Sequence, residues 1–196
     1  MLFRSHQALD FELPGTLKVI LFPAAWEVVK EKQNYYPLFS GKGFTEAKEK
    51  HGSLNFVMLD CYNDDTTLND HSFLDELAND PTVVLCLNST NTNAMQSVRR
   101  MFITLMEKEI RNPVILMTDS QSASPDEHLI HFATETGALL LDGMGDGICL
   151  GYRSGAQLET IKAKGRTYLP VNNIYQFTNN TAFSILQATQ IGRAHV

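Results

Sequence analysis

The run Thr82-Val83-Val84-Leu85-Cys86-Leu87 is almost continuously apolar and rich in branched side chains. A helical pattern follows from Asn93 to Ile110, and a second apolar run, Pro113-Val114-Ile115-Leu116-Met117, comes after it. Strands that are apolar at successive positions are buried on both faces, as in a parallel sheet. The order strand, helix, strand therefore predicts a parallel β/α unit with a right-handed crossover.

The same alternation continues on both sides of this unit. Further strands are predicted at Lys18–Phe22, Asn55–Leu59 and Ala138–Leu141, and further helices at Phe44–His51, Phe73–Ala78 and from Ser124 to Gly137. Asn93 is the expected N-cap of the long helix, and Ser124 followed by Pro125 is the expected start of the next one. Gly137 is expected to end that helix. Repeated β/α units are typical of an α/β fold, and a partial (β/α) barrel and an open doubly wound sheet both satisfy the pattern.

Composition and charge narrow the classes of function. The chain has 196 residues, of which 43% are hydrophobic, and a formal net charge of -6. An acidic chain gives no electrostatic reason to expect nucleic acid or an anionic membrane surface. No apolar run approaches the roughly 20 residues that span a bilayer. Three widely spaced cysteines, Cys61, Cys86 and Cys149, indicate reduced thiols and a cytoplasmic protein.

Two acidic segments are candidate sites. Residues 137–148 form an apolar run that leads into a loop with three glycines, Asp142 and Asp146, where the aspartates could bind a cation or cap backbone amides. Asp60 opens a second acidic segment, residues 60–65, directly after a strand, where barrel enzymes place catalytic groups. Solvated turns and backbone caps are the more common use of such residues.

Basic side chains provide weaker candidates. His128 and His131 are separated by one helical turn, a spacing that can bind metal in helical bundles, but no second pair of ligands accompanies them. Arg99 and Arg100 are expected on a solvated helix face. The residues by themselves therefore indicate a soluble α/β domain without a decisive catalytic motif.

Two passages resemble one protein family. Residues 135–148, Glu-Thr-Gly-Ala-Leu-Leu-Leu-Asp-Gly-Met-Gly-Asp-Gly-Ile, and residues 181–189, Thr-Ala-Phe-Ser-Ile-Leu-Gln-Ala-Thr, are similar in sequence and order to 4-hydroxy-3-methylbut-2-en-1-yl diphosphate synthases. The resemblance is to the long form, which has a second barrel-like domain inserted before its C-terminal iron–sulfur domain. It covers mainly the second half of the chain.

The resemblance implies a parent enzyme of isoprenoid biosynthesis by the methylerythritol phosphate (terpenoid) pathway. Such an oxidoreductase opens 2-C-methyl-D-erythritol 2,4-cyclodiphosphate reductively to 4-hydroxy-3-methylbut-2-enyl diphosphate. A [4Fe-4S] cluster supplies the electrons, which come from flavodoxin or ferredoxin, and the oligomeric state of the parent is left open, with a homodimer as one option. The cluster ligands of the family follow the second passage, and no position of this chain matches them.

The resemblance also implies a division of the chain. Residues 1–150 are expected to be part of the inserted TIM-barrel-like domain, residues 151–180 a linker, and residues 181–189 the start of a helix that leads to an iron–sulfur domain. Residues 190–196, Gln-Ile-Gly-Arg-Ala-His-Val, match an in-frame translation of a sequencing-library adaptor and are expected to be a non-native tail on a truncated fragment.

Three hypotheses follow for function. In the first, the chain is a spacer or scaffold of the synthase, with no catalytic, cofactor-binding or metal-binding residue of its own, and is inactive alone. In the second, it is a stand-alone (β/α)-type metal-dependent enzyme that uses Asp60, Asp142 and Asp146. In the third, it is a non-catalytic binding module.

Overall fold

The strands that the structure describes form one parallel sheet. The computed structural model describes residues 2–5, 15, 17–62, 72–78, 80–121, 124–152 and 174–193. The strands are β1 Leu2–Ser5, β2 Lys18–Leu21, β3 Tyr35–Ser40, β4 Asn55–Asp60, β5 Val83–Asn88, β6 Val114–Ser120 and β7 Gly147–Tyr152. The helices are α1 Pro23–Glu27, α2 Gly41–Glu46, α3 Ser72–Ala78, α4 Ala94–Glu107, α5 Pro125–Phe132, α6 Ala138–Leu141 and α7 Ile174–Arg193.

The order of the strands selects the partial barrel over the doubly wound sheet. Each strand pairs in parallel with the next one along the chain, in the order β1 to β7. Because the order never reverses, right-handed crossovers place successive helices on the same face of the sheet. The sheet curls, and the fold is a partial (β/α) barrel.

The two faces of the sheet carry separate apolar clusters. Val57, Leu85 and Leu87 face the helices and belong to the main core, whereas Phe56 and Cys86 belong to a second cluster on the opposite, concave face. Since both faces are packed there, β4 and β5 are apolar at successive positions. The strand prediction is therefore confirmed for the continuous runs that form β2, β4, β5 and β6.

One predicted strand is a helix. Ala138–Leu141 forms α6, and the chain does not end its helix at Gly137 but continues from α5 through a π-helical turn, Ala133–Gly137. A run of four apolar residues fits a buried helix as well as a strand, and leucine favours helix. Leu139 and Leu140 pack into the helix-side core. The last strand among the described residues is therefore β7, which begins at Gly147.

Other boundaries differ from the predictions as well. Helix α2 ends at Glu46 instead of reaching His51, and its N-cap is Ser40, whose hydroxyl accepts from the amide of Gly43. Strand β3 was not predicted. Helix α7 begins at residue 174, within the predicted linker, and continues to Arg193. Most of that linker, residues 153–173, lies outside the described residues. No helix in the described ranges is long and apolar enough to cross a membrane.

Candidate ligand-binding cavity

A cavity of about 270 Å³ opens where β5 and β6 end. In (β/α) barrels this carboxyl end of the sheet is where ligands bind. The cavity is lined by Leu87, Asn88, Ser89, Thr90, Asn91, Thr92, Ala94, Val98, Leu116, Met117, Thr118, Asp119, Gln121, His131, Glu135 and Leu139. Its lining thus combines apolar side chains from the sheet and helices with amides, hydroxyls and two carboxylates.

Asp60 fixes the polar loop on one side of this cavity. Its Oδ1 accepts from the backbone amides of Tyr62 at 2.9 Å and of Thr90 at 3.3 Å, and its Oδ2 accepts from the Thr90 hydroxyl at 3.1 Å. An aspartate that follows a strand and binds amides two residues on is a turn-forming residue. Asp60 therefore holds the loops after β4 and β5 together, while residues 63–65 of its acidic segment lie outside the described residues.

The loop after β5 is also braced from within. The Ser89 hydroxyl accepts from the Asn91 amide at 3.2 Å, and the Asn91 carboxamide donates to the Ser97 hydroxyl on α4 at 3.2 Å. Asn88 lines the cavity, and its buried Oδ1 has no hydrogen-bond partner among the described residues. Side-chain hydrogen bonds therefore hold the loop after β5 in place, and Asn88 Oδ1 takes no part in them.

Glu135 reaches the cavity from the π-helical turn. Its carboxylate accepts from the backbone amide of Met95, in the first turn of α4, and burial raises the pKa of the carboxyl above its usual value. Asn93 is the N-cap residue of α4, as predicted, but its side chain makes no capping hydrogen bond. An acid near a helix N-terminus is stabilised by the unpaired amides there. Glu135 thus caps α4 from a distant part of the chain.

Asp142 and Asp146 lie at the other end of the sheet, because they precede β7. Asp146 Oδ2 accepts from the Val114 amide at 2.9 Å, where β6 begins, and Asp142 pairs with Arg99 at 2.5 Å on the surface. Asp60 is the last residue of β4 and lies at the opposite, carboxyl end of the strands. The three aspartates consequently do not meet, and the hypothesis of a cation site shared by them is wrong.

The glycines between these aspartates serve the turn. Gly143 and Gly145 have φ values of 79° and 102°, which L side chains rarely adopt. A Cβ on Gly145 would also lie 3.1 Å from Leu116. The loop of residues 142–146 is therefore a tight connection from α6 to β7, as its glycines allow.

His128 and His131 have different environments. His128 is fully buried, with Nδ1 at 2.7 Å from the Ser120 hydroxyl and its ring edge-on to Tyr152. Burial lowers the pKa of its imidazole. His131 lines the cavity instead. No group of three or more potential metal ligands occurs among the described residues.

The three cysteines do not fit an iron–sulfur cluster. Cys61 belongs to the helix-side core, and burial raises the pKa of its thiol to about 12. Cys86 and Cys149 pack in the concave cluster, on strands separated by β6. A cluster requires thiolates that converge on one site, whereas these thiols lie on opposite faces of the sheet.

Sequence reasoning did not identify Glu135, Asp119 or Thr118 as site residues. Glu135 follows Ala133 and Thr134 in an amphipathic helix, and its spacing does not reveal the π-helical turn that aims it at α4. Thr118 and Asp119 lie in the last three residues of β6, and their position after an apolar run is the signal that could have identified them.

Two curated proteins are similar to the chain. One is the 4-hydroxy-3-methylbut-2-en-1-yl diphosphate synthase (flavodoxin) of Phocaeicola vulgatus, 30% identical over 167 residues, which are 85% of this chain and 23% of that protein. The other, of the same name, is from Parabacteroides distasonis and is 31% identical over 138 residues, 70% of this chain and 21% of that protein. The chain thus spans less than a quarter of either relative. No protein-family model and no solved structure matches it.

Proposed function

Because this chain is related over most of its length to a segment of the 4-hydroxy-3-methylbut-2-en-1-yl diphosphate synthases, we propose that it is a scaffold segment of such an enzyme. The full enzyme would open the cyclic diphosphate of methylerythritol reductively, with electrons delivered by flavodoxin or ferredoxin to a [4Fe-4S] cluster. The cluster would be held by residues outside this segment. The names of both relatives support an isoprenoid-pathway oxidoreductase that takes electrons from flavodoxin.

One observation carries the scaffold role: the candidate site residues Asp60 and Asp146 form hydrogen bonds to other residues of the chain itself. Asp60 joins two loops at the carboxyl end of the sheet, and Asp146 joins the start of β6 to the start of β7. Carboxylates that are used in this way hold strands and loops in register. The arrangement supports a segment that positions other domains and leaves electron transfer to them.

The cysteines support the same division of labour. Since Cys61 lies on the face of the sheet opposite to Cys86 and Cys149, bringing all three to one cluster would require the sheet to unfold. The segment would therefore keep its thiols in its cores. A cytoplasmic location and a homodimeric parent stay predictions.

Reconstitution with iron and sulfide under anaerobic conditions tests the proposal. We expect the purified 196-residue chain to show no cluster absorption and no turnover of the cyclic diphosphate with reduced flavodoxin, while the Phocaeicola vulgatus synthase, treated in parallel, shows both. A variant with all three cysteines replaced by serine serves as the matched control. Turnover by the wild-type chain, or a cluster that the serine variant fails to form, would overturn the proposal.

A further inference from the structure

Helix α7 presents a row of exposed side chains along its outer side. Tyr175 and Phe183 are 68% and 64% exposed, although both are aromatic. Asn179 and Gln187 are exposed as well. Because these four residues follow one another at intervals of four, they lie along one side of the helix. We call this row of two aromatic and two carboxamide side chains the α7 stripe.

The opposite side of α7 anchors the helix to the rest of the protein. Thr181 and Ile185 are buried, and Ile185 belongs to the helix-side core. The Thr178 hydroxyl donates to the Tyr152 hydroxyl, at the end of β7, over 2.9 Å. The α7 stripe is therefore held in a fixed orientation, and a partner that contacts it does not have to order the helix first.

The α7 stripe also differs in charge from the other exposed apolar positions. Helix α7 has no charged residue before Arg193, whereas 19% of the chain is charged. The exposed Met106 is followed directly by Glu107. The exposed Leu141 is followed by Asp142 in the same way. Since interface cores are enriched in aromatic residues and depleted in charge, the α7 stripe has the composition of an interface core.

The charge of the whole chain favours a second copy as the partner. With a formal net charge of -6, two copies repel each other, so the surfaces through which they meet have to be free of negative charge. The α7 stripe is neutral and therefore offers no attraction to a strongly charged partner or to an anionic membrane surface. A two-fold contact uses the same patch on both copies, which a neutral patch permits without like-charge repulsion.

The order of side chains in the α7 stripe is complementary to itself. When two copies of α7 lie antiparallel with the two-fold axis beside Phe183, a residue four positions before Phe183 faces the residue four positions after it. Asn179 then faces Gln187 of the second copy, and this pair occurs twice. Carboxamides both donate and accept, so each pair can form reciprocal hydrogen bonds, while the two Phe183 rings pack together. The antiparallel arrangement also brings the positive end of each helix dipole beside the negative end of the other.

We propose that the chain forms a two-fold dimer through antiparallel contact of its α7 stripes. The contact consists of one helix pair and is smaller than a standard interface, so the dimer should dissociate with a constant of roughly 100 μM. At the few micromolar used in optical assays the chain would then be a monomer. This contact is additional to the proposed scaffold role and does not depend on it.

Sedimentation equilibrium of the 196-residue chain, between about 5 and about 500 μM, tests the dimer. We expect the mass to rise from that of the monomer toward that of the dimer. Phe183→Glu places two carboxylates face to face at the two-fold axis and should weaken association at least tenfold. Met106→Glu adds the same charge at a side chain that is 71% exposed on α4, so it is the matched control and should have no effect. Circular dichroism checks that both variants are folded.

Three results of this experiment would contradict the proposal. The wild-type chain could remain a monomer at every concentration. The dimer could survive Phe183→Glu in a folded protein, which would assign it to another surface. Met106→Glu could weaken association as much as Phe183→Glu, which would attribute the loss to added net charge and not to the α7 stripe.

A double variant tests the antiparallel register. Asn179→Lys combined with Gln187→Glu leaves the net charge unchanged and sets lysine against glutamate at both ends of the contact. We expect the dimer to tighten severalfold at low salt and added salt to remove the gain. In a parallel pair the same variant would set lysine against lysine and glutamate against glutamate. A dimer that is weakened or unchanged by the double variant would therefore refute the antiparallel contact.

Discussion

Asn112 is expected to be a major contributor to stability at the amino end of the sheet. Its carboxamide nitrogen donates to the carbonyl oxygens of Asp80 and Val83, both at 3.1 Å, and more weakly to that of Leu77 at 3.5 Å. One side chain thereby ties the end of α3 and the start of β5 to the segment before β6. Replacing Asn112 with alanine removes all three bonds and leaves the carbonyls without this donor.

The size of the effect follows from these contacts. The two bonds at 3.1 Å are worth about 1.5 kcal/mol each, so their loss costs about 3 kcal/mol, although the Asp80 carbonyl keeps its bond from the Val83 amide at 3.2 Å. Asn112 Oδ1 is itself buried without a partner among the described residues, and removing that acceptor returns about 1 kcal/mol. We therefore expect Asn112→Ala to lower the free energy of unfolding by about 2 kcal/mol, which corresponds to a fall in Tm of about 4–8 °C for a chain of this length.

Urea denaturation of the purified chain, followed by circular dichroism, measures this difference. Asn112→Asp keeps the shape of the side chain but cannot donate, so it should be destabilised at least as much as the alanine variant. Asn179→Ala, on the exposed face of α7, is the matched control and should stay within about 0.5 kcal/mol of wild type. An Asn112→Ala variant as stable as wild type would refute the reasoning.

Three further predictions concern single side chains. Asp146→Ala should lower the free energy of unfolding by about 1–2 kcal/mol because the Val114 amide loses its acceptor, whereas Asp146→Asn keeps an oxygen there and should cost less in the same urea assay. The folded-state pKa of His128 lies below the ordinary value of 6.5, so the unfolded chain binds a proton first and the free energy of unfolding should fall as pH drops below 6.5. Urea denaturation at a series of pH values measures this fall. The same dependence of the free energy of unfolding on pH in His128→Gln would contradict the prediction. Burial raises the pKa of Cys61 to about 12, so this thiol should resist alkylation at pH 8 in the folded protein and react only after unfolding. Half-buried Cys149 should react before it. Peptide mass spectrometry measures the alkylation of both thiols.

Much of the fold could be predicted because its signals are local. The continuous apolar runs at residues 55–59, 82–87 and 113–117 indicate strands with two buried faces, and β4, β5 and β6 are those strands. Ser124 with Pro125 marks the start of α5, and the Ser124 hydroxyl does accept from the Glu127 amide. Both signals depend only on neighbours in the sequence.

The candidate cavity was not predictable in the same way. Glu135 lies near Met95 only because the π-helical turn rotates it toward α4, and the chain between them is long. Asp60 meets Thr90 because β4 and β5 are adjacent in the sheet. Residues 138–141 were predicted to be a strand, which would place Asp142 and Asp146 after its carboxyl end. Because these residues form α6, the two aspartates instead precede β7.

By itself the sequence determined the class of fold, the relationship to the synthases and the burial of both sheet faces, since each depends on residue type and short spacing. The tertiary structure alone decided which end of the sheet each carboxylate occupies and which side chains enclose the cavity. Those outcomes depend on strand order and on one extra residue in a helical turn, and contacts between residues far apart in the chain leave no periodic trace in the sequence.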